Sequence, residues 1–215
     1  MKGSQKQQWR RRRGYHHGNL KEVLLEAARQ LIEQRGPDGF SLTEAARLAG
    51  VSPAAPYRHF RDREALLSEV ARSGFERFAA QLDAAWDEGR PTPISAFENL
   101  GRAYLTFARE EPASYAAMFE AGLSIDSAPE LKTASDRSFA VLRKAANRLL
   151  ETAAADARPP GDLMGLHIWS MAHGIATLFS EGKPCRGKVP MSADDVLESA
   201  MLIYLKGLGV IAKSR

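Results

Sequence analysis

The chain has 215 residues, 44% of them hydrophobic and 26% charged, which excludes an intrinsically disordered polymer and leaves room for a small domain beside a larger one. A single cysteine, Cys185, excludes an intramolecular disulfide and fits a reducing, cytoplasmic setting. The net charge of +4 hides an uneven spread: residues 1–63 hold 13 Lys/Arg against 6 Asp/Glu, whereas the rest hold 17 against 20. That asymmetry fits a polyanion-binding head on a near-neutral body; a basic tail on an ordinary protein would give the same numbers.

Residues 1–14 have almost no apolar content and read as a disordered basic arm. No apolar stretch follows the basic N-terminus, so it does not read as a signal peptide. Arg10, Arg11, Arg12 and Arg13 form a run of four like charges, either a solvated arm or one that settles along phosphates once DNA is present. Asn19 is placed to cap a first helix, in which Val23, Leu24, Ala27, Ala28, Leu31 and Ile32 recur at three- and four-residue spacing. Gly36-Pro37-Asp38-Gly39 ends it. Ser41-Leu42-Thr43-Glu44 is a capping box that opens a short second helix with Ala45, Leu48 and Ala49 as its inward face. Gly50 supplies the break, and Ser52 with Pro53 is expected to open a short third helix. Two short helices, a glycine turn and a capped third helix make a helix-turn-helix, whose last member offers its N-terminal residues to a major groove. Those residues are small here (Ser52, Ala54 and Ala55), so backbone can approach the bases, while Tyr57, Arg58 and His59 can reach phosphate.

Beyond Asp62 a long helix of roughly 25 residues carries Leu66, Leu67, Val70, Phe75, Phe78, Leu82 and Trp86 at helical spacing, a strut of about 37 Å. Further amphipathic stretches cover about 94–110, 112–121, 128–155, 161–182 and 192–212. No strand pattern appears, so the expected fold is all-α: an N-terminal three-helix helix-turn-helix domain over 15–63, joined by the long helix to a helical ligand-binding and dimerisation domain over 64–215. Leu163–Ser180 runs 18 residues without a formal charge, but its His, Ser, Thr and Gly content reads as a helix buried in protein rather than in a membrane. The last two helices carry more apolar surface than one chain can cover, which predicts a homodimer through about 161–182 and 192–212. Trp86, Phe97, Tyr104, Phe107, Tyr115, Met118, Phe119 and Met164 are core residues that, as a set, can also line a cavity for a small molecule. His173 shares a helix face with Trp169; it reads either as a satisfied core histidine or as a ligand or pH contact, and Gly174 beside it leaves room for a close helix.

No Gly-x-Ser-x-Gly, Cys-x-x-Cys or P-loop occurs, and Gly182-Lys183 is followed by Pro184, so no enzymatic activity and no cofactor is expected. His167 and His173 are six residues apart and cannot chelate one metal from a single helix face, so no metal site is expected either.

Residues 15–71, "YHHGNLKEVLLEAARQLIEQRGPDGFSLTEAARLAGVSPAAPYRHFRDREALLSEVA", resemble the N-terminal domain of the TetR family. The Ala-Gly-Val-Ser turn, the Tyr-Arg-His-Phe run and the Glu-Ala-Leu-Leu start of the strut carry the likeness most specifically. The later "HIWSMAHGIATLF" resembles the C-terminal domain named for its Trp and His-Gly, here Trp169, His173 and Gly174. The resemblance implies a dimeric regulator that binds a palindromic double-stranded operator, by default a repressor released by a small-molecule inducer. It also implies that Tyr57 and His59 touch backbone phosphates, and that Ser41 and Arg63 do likewise. Ala55-Pro56 departs from the commoner pattern, in which a larger residue and leucine precede the tyrosine, so base-reading roles do not carry over. A DNA-binding protein without a small-molecule ligand, answering to a protein partner or acting architecturally, is the other reading.

Overall fold

A computed structural model of the chain describes residues 20–153, 158–180 and 190–211. Among them it has eight α-helices and no strand, with helix limits close to those read from the periodicity. The basic arm with Arg10 to Arg13, the Asn19 cap and the loop holding Pro184 and Cys185 lie outside the described residues.

The head begins with α1 (Leu20–Arg35), which buries Leu24, Leu25, Ala27, Ala28, Leu31 and Ile32. Gly36 ends it at φ +79°, a left-handed conformation that suits glycine. The second helix, α2 (Leu42–Leu48), is opened by the capping box: the Ser41 hydroxyl accepts from the Glu44 amide, and the Glu44 carboxylate accepts from the Ser41 amide. Its inward face is Leu42, Ala45 and Ala46; Leu48, expected to be buried, is exposed. At 100° per residue, Leu48 falls outside the Leu42–Ala45–Ala46 face. Gly50 then reverses the chain at φ +72°.

The strut is α3 (Arg63–Trp86), 24 residues and about 36 Å long, capped by the Asp62 carboxylate, which accepts from the Ala65 amide. A 3₁₀ turn over Asp87–Gly89 follows. The strut is central to the body. It packs against α4 (Pro93–Glu110), α5 (Pro112–Phe119) and α6 (Pro129–Leu150), and α6 in turn packs against α7 (Gly161–Phe179). The last helix, α8 (Ala193–Gly207), lies on α7 and α4 and is opened by a second capping box, Ser192 with Asp195.

Glycines mark where these helices come closest. A Cβ at Gly74 of α3 would meet the Met118 sulfur of α5 at 2.8 Å, and one at Gly101 of α4 would meet Met201 of α8 at 2.9 Å. Gly174, expected to admit a neighbouring helix, has no described atom within 4 Å of its Cβ position. It faces away from this protomer's core. Leu66, Leu67, Val70, Phe75, Phe78, Leu82 and Trp86 are all buried along the strut, each contributing about 1.5–3 kcal/mol of transfer free energy. The helix that carries head to body is therefore also the axis of the core.

No helix among the described residues is long and apolar enough to cross a membrane.

Candidate DNA interface and effector site

The expected third helix of the head is not an α-helix. Ser52 forms no helix cap; its carbonyl accepts from the Ala55 amide at 3.0 Å, and a 3₁₀ helix, Pro56–Arg58, follows. Proline explains the difference. In an α-helix the residue 56 amide would donate to the Ser52 carbonyl, but Pro56 has no N–H and its ring would collide with that oxygen. Pro56 and Phe60 are buried, and the Phe60 amide donates to the Pro56 carbonyl at 2.9 Å, pinning the segment to the head. This leaves Tyr57, Arg58 and His59 exposed between two anchors, with Tyr57 at 59% relative exposure. Ser52 and Ala54 are exposed and Ala55 half-buried on the approach to them.

Ser41 and Arg63 sit at the N-termini of α2 and α3, and both are engaged within the head. The Ser41 amide and hydroxyl donate to the Glu44 carboxylate at 3.0 and 2.9 Å. Glu44 also takes a hydrogen bond from Arg35 at 2.8 Å, and these contacts, Arg35 first, lower its pKa. The Arg63 guanidinium donates to the Pro37 carbonyl and to Asp38. Sequence reasoning overlooks Arg47, an exposed cation in the last turn of α2; like Arg58, it has no ion-pair partner among the described residues. Its position on the polar side of a capped helix is the available signal.

In the body, α4, α5 and α7 bring together Tyr104, Phe107, Tyr115, Phe119 and His173, five of the nine residues expected around a ligand. The Tyr115 hydroxyl lies 2.7 Å and the Tyr104 hydroxyl 3.2 Å from His173 Nδ1, and Trp169 Nε1 donates to the Tyr104 hydroxyl at 2.9 Å. Phe119 stands edge-on to His173, with centroids 5.1 Å apart, and contacts Tyr115 and Trp169 as well. Phe107 reaches the group through Phe78, which packs edge-to-face on Tyr104. Met118 lies on the other side of α5, against Gly74 of the strut. Trp86, Phe97 and Met164 are buried elsewhere in the core and make no described ring contact with the cluster. Trp169 is a member that the ligand expectation lacked.

A groove of about 550 Å³ lies at the surface between Trp86 at the end of the strut, Glu88 in the turn after it, and residues 140–151 along and just past α6. Among the described residues no group of three or more His, Cys, Asp or Glu could hold a metal ion.

Burial sets the electrostatics of the cluster. It raises the pKa of Tyr104 and pushes Tyr115 up to about 12, so both hydroxyls keep their protons at neutral pH. Burial also lowers the pKa of His173, against a smaller opposing effect of Glu120. Neutral His173 thus has an Nδ1 lone pair available to a tyrosine hydroxyl. The stability it lends is present above the unfolded value near 6.5 and is lost as pH falls below it toward the lowered folded value. We expect the melting temperature to drop between pH 7 and pH 5.5, and His173→Gln, which can still accept from tyrosine, to reduce that drop. An identical pH profile in the variant would contradict the assignment.

Residues 24–70 match the sequence family described as "Bacterial regulatory proteins, tetR family". Residues 97–203, which include Trp169 and His173, match "Tetracyclin repressor-like, C-terminal domain". The chain is similar to the uncharacterized HTH-type transcriptional regulator YobS of Bacillus subtilis (29% identical over 100 residues, 46% of this chain and 51% of that protein). It is also similar to the HTH-type transcriptional repressor BepR of Brucella suis (34% identical over 93 residues, 42% of this chain and 44% of that protein). The match thus spans about half the length of these curated relatives. Among solved structures, a protein of unknown function from Rhodococcus sp. RHA1 is 33% identical, with a TM-score of 0.77 over 91% of this chain and 98% of that one. The TetR family transcriptional regulator PfmR from Thermus thermophilus shares the fold at 24% identity, with a TM-score of 0.66 over 86% of this chain and 98% of that one. The two family matches cover the helix-turn-helix of the head and most of the helical body, and the chain belongs to the TetR family of DNA-binding transcriptional regulators.

Proposed function

We propose that the protein is a homodimeric repressor that binds a palindromic operator and leaves it when a small molecule occupies the body. The observation that carries the DNA half is the Tyr57-Arg58-His59 edge, held outward between the buried anchors Pro56 and Phe60. Aromatic and imidazole donors there suit phosphate oxygens, and small Ser52 and Ala54 let the backbone close on base edges. The relative BepR is named a repressor, which favours that sign of regulation.

Dimerisation is supported by exposed apolar side chains on the last two helices. On α7, Leu163, Leu166 and Leu178 are exposed along the side that carries Gly174; on α8, Leu202 and Ile203 are exposed, Ile203 at 70%. His167 Nδ1 and the Tyr204 hydroxyl, 2.9 Å apart, tie the two helices together. A second copy covering this face would supply the two recognition segments that successive major grooves, about 34–36 Å apart, require.

For the effector, the reading centres on Tyr104, Phe107, Tyr115, Phe119 and His173, now with Trp169, while Met118 lies between this cluster's helix and the strut. Helix α5 joins this cluster to the strut, because Tyr115 and Phe119 face His173 while Met118 presses on Gly74. A ligand that shifts α5 can therefore shift the strut, but only by as much as it prefers the released state: tenfold is about 1.4 kcal/mol per site. Thermal-shift screening tests the proposal. A compound at 100 times its Kd should stabilise the protein by about 2.7 kcal/mol, roughly 5–10 °C, and should also lower operator affinity. Stabilisation by a compound that leaves operator affinity unchanged would contradict the release mechanism.

A further inference from the structure

The first residue of the strut is held by the loop that seats α2. Arg63 Nη2 donates to the Pro37 carbonyl and, at 2.8 Å, to the Asp38 carboxylate. The guanidinium lies over the Phe40 ring, 5.3 Å from its centroid, and its Nε is buried without a hydrogen-bond partner among the described residues. Phe40 is itself buried and precedes Ser41, the cap of α2. On the other side of the same loop, Arg35 is paired with Glu44 at 2.8 Å. A cation kept for a phosphate is best left exposed and without an anion, as Arg47 and Arg58 are among the described residues; the Arg63 side chain is only 33% exposed and already has an anion.

We infer that Arg63 is a positioning residue for operator recognition and not a phosphate contact: it fixes the Pro37–Phe40 loop, and with it the seat of α2, to the head of the strut. The inference rests on the DNA-binding reading and refines it. The fork of an arginine suits this task, since one planar group meets a carbonyl, a carboxylate and a ring at once; a lysine ammonium cannot. A shift of the strut then carries α2 with it instead of sliding past.

Asp38 separates the two roles. Beside a phosphate-binding cation it would oppose DNA, so its neutralisation would leave binding unchanged or tighten it. In a positioning clamp it is required. The test uses the full-length protein, a duplex that it retains from a random pool, and a scrambled duplex of the same length. Asp38→Asn and Arg63→Lys are each expected to lower affinity for the retained duplex about tenfold and to leave affinity for the scrambled one unchanged, so the ratio of the two falls. The salt dependence of Arg63→Gln is expected to match that of the unmutated protein. A phosphate contact predicts instead a log–log salt slope shallower by about 0.9. Loss of fold would lower both affinities together, so the ratio isolates positioning. Asp38→Asn binding the retained duplex as tightly as the unmutated protein, or more tightly, would overturn the inference. Failure of the DNA-binding reading is distinct, because the unmutated protein would then retain no preferred duplex at all.

Discussion

Tyr57→Ala combined with His59→Ala is expected to weaken DNA binding about hundredfold or more while leaving the melting temperature within roughly 2 °C. The two side chains are exposed in the free protein, and surface truncations away from caps and cores usually change stability by less than about 0.5 kcal/mol. Their contribution on DNA is another matter. A hydrogen bond to a charged oxygen is worth about 1.5–3 kcal/mol, and two such bonds correspond to two or more powers of ten in Kd. The loss should fall alike on operator and unrelated duplex, since phosphate contacts position without reading sequence. Fluorescence anisotropy with both duplexes, beside a thermal melt, checks the prediction. Retained affinity in the folded double variant would remove the Pro56–Arg58 turn from the interface.

The second large effect concerns assembly. Ile203→Glu places a carboxylate on the most exposed apolar side chain of the α7–α8 face. If that face pairs with a second copy, the charge is buried unpaired, at a cost of several kcal/mol, and the dimer dissociates. In the monomer the glutamate stays in water and the protomer keeps its fold. Operator affinity should then fall at least hundredfold, because two linked heads gain roughly 10²–10⁴ over one. Sedimentation should report a single protomer of 23.6 kDa. A variant that still sediments as a dimer would move the interface elsewhere.

Much of this is legible without coordinates, and the reasons are local. The Ser41–Glu44 box announces itself because its two reciprocal hydrogen bonds need only residues three apart. The strut can be read from its apolar spacing, and the head from the cap, glycine and charge signals that surround it. The recognition segment departs from its expected helix because a proline near a helix start is favourable at one position and disruptive a few residues later. The structural consequence of Pro56, a lost donor to Ser52 and a 3₁₀ turn, depends on where its ring falls relative to the carbonyl four residues back. The aromatic cluster around His173 is only partly visible for a different reason. Periodicity separates buried from exposed residues but does not say which buried ones meet. Tyr104 finds Trp169 across 65 positions and Tyr115 finds His173 across 58, while Trp86 and Phe97, equally buried, lie elsewhere. Arg63 offers the same lesson: the resemblance assigns it to phosphate, and only a contact 25 residues away gives it another partner.

The central claim, a dimeric reader of a palindromic operator, is tested most directly by selecting the purified protein against random duplex DNA at physiological salt and sequencing what it retains. The account predicts enrichment of an inverted repeat whose half-sites are centred about one helical turn apart. Retention that ignores sequence and vanishes as salt is raised would contradict it, leaving the basic head as a general polyanion binder.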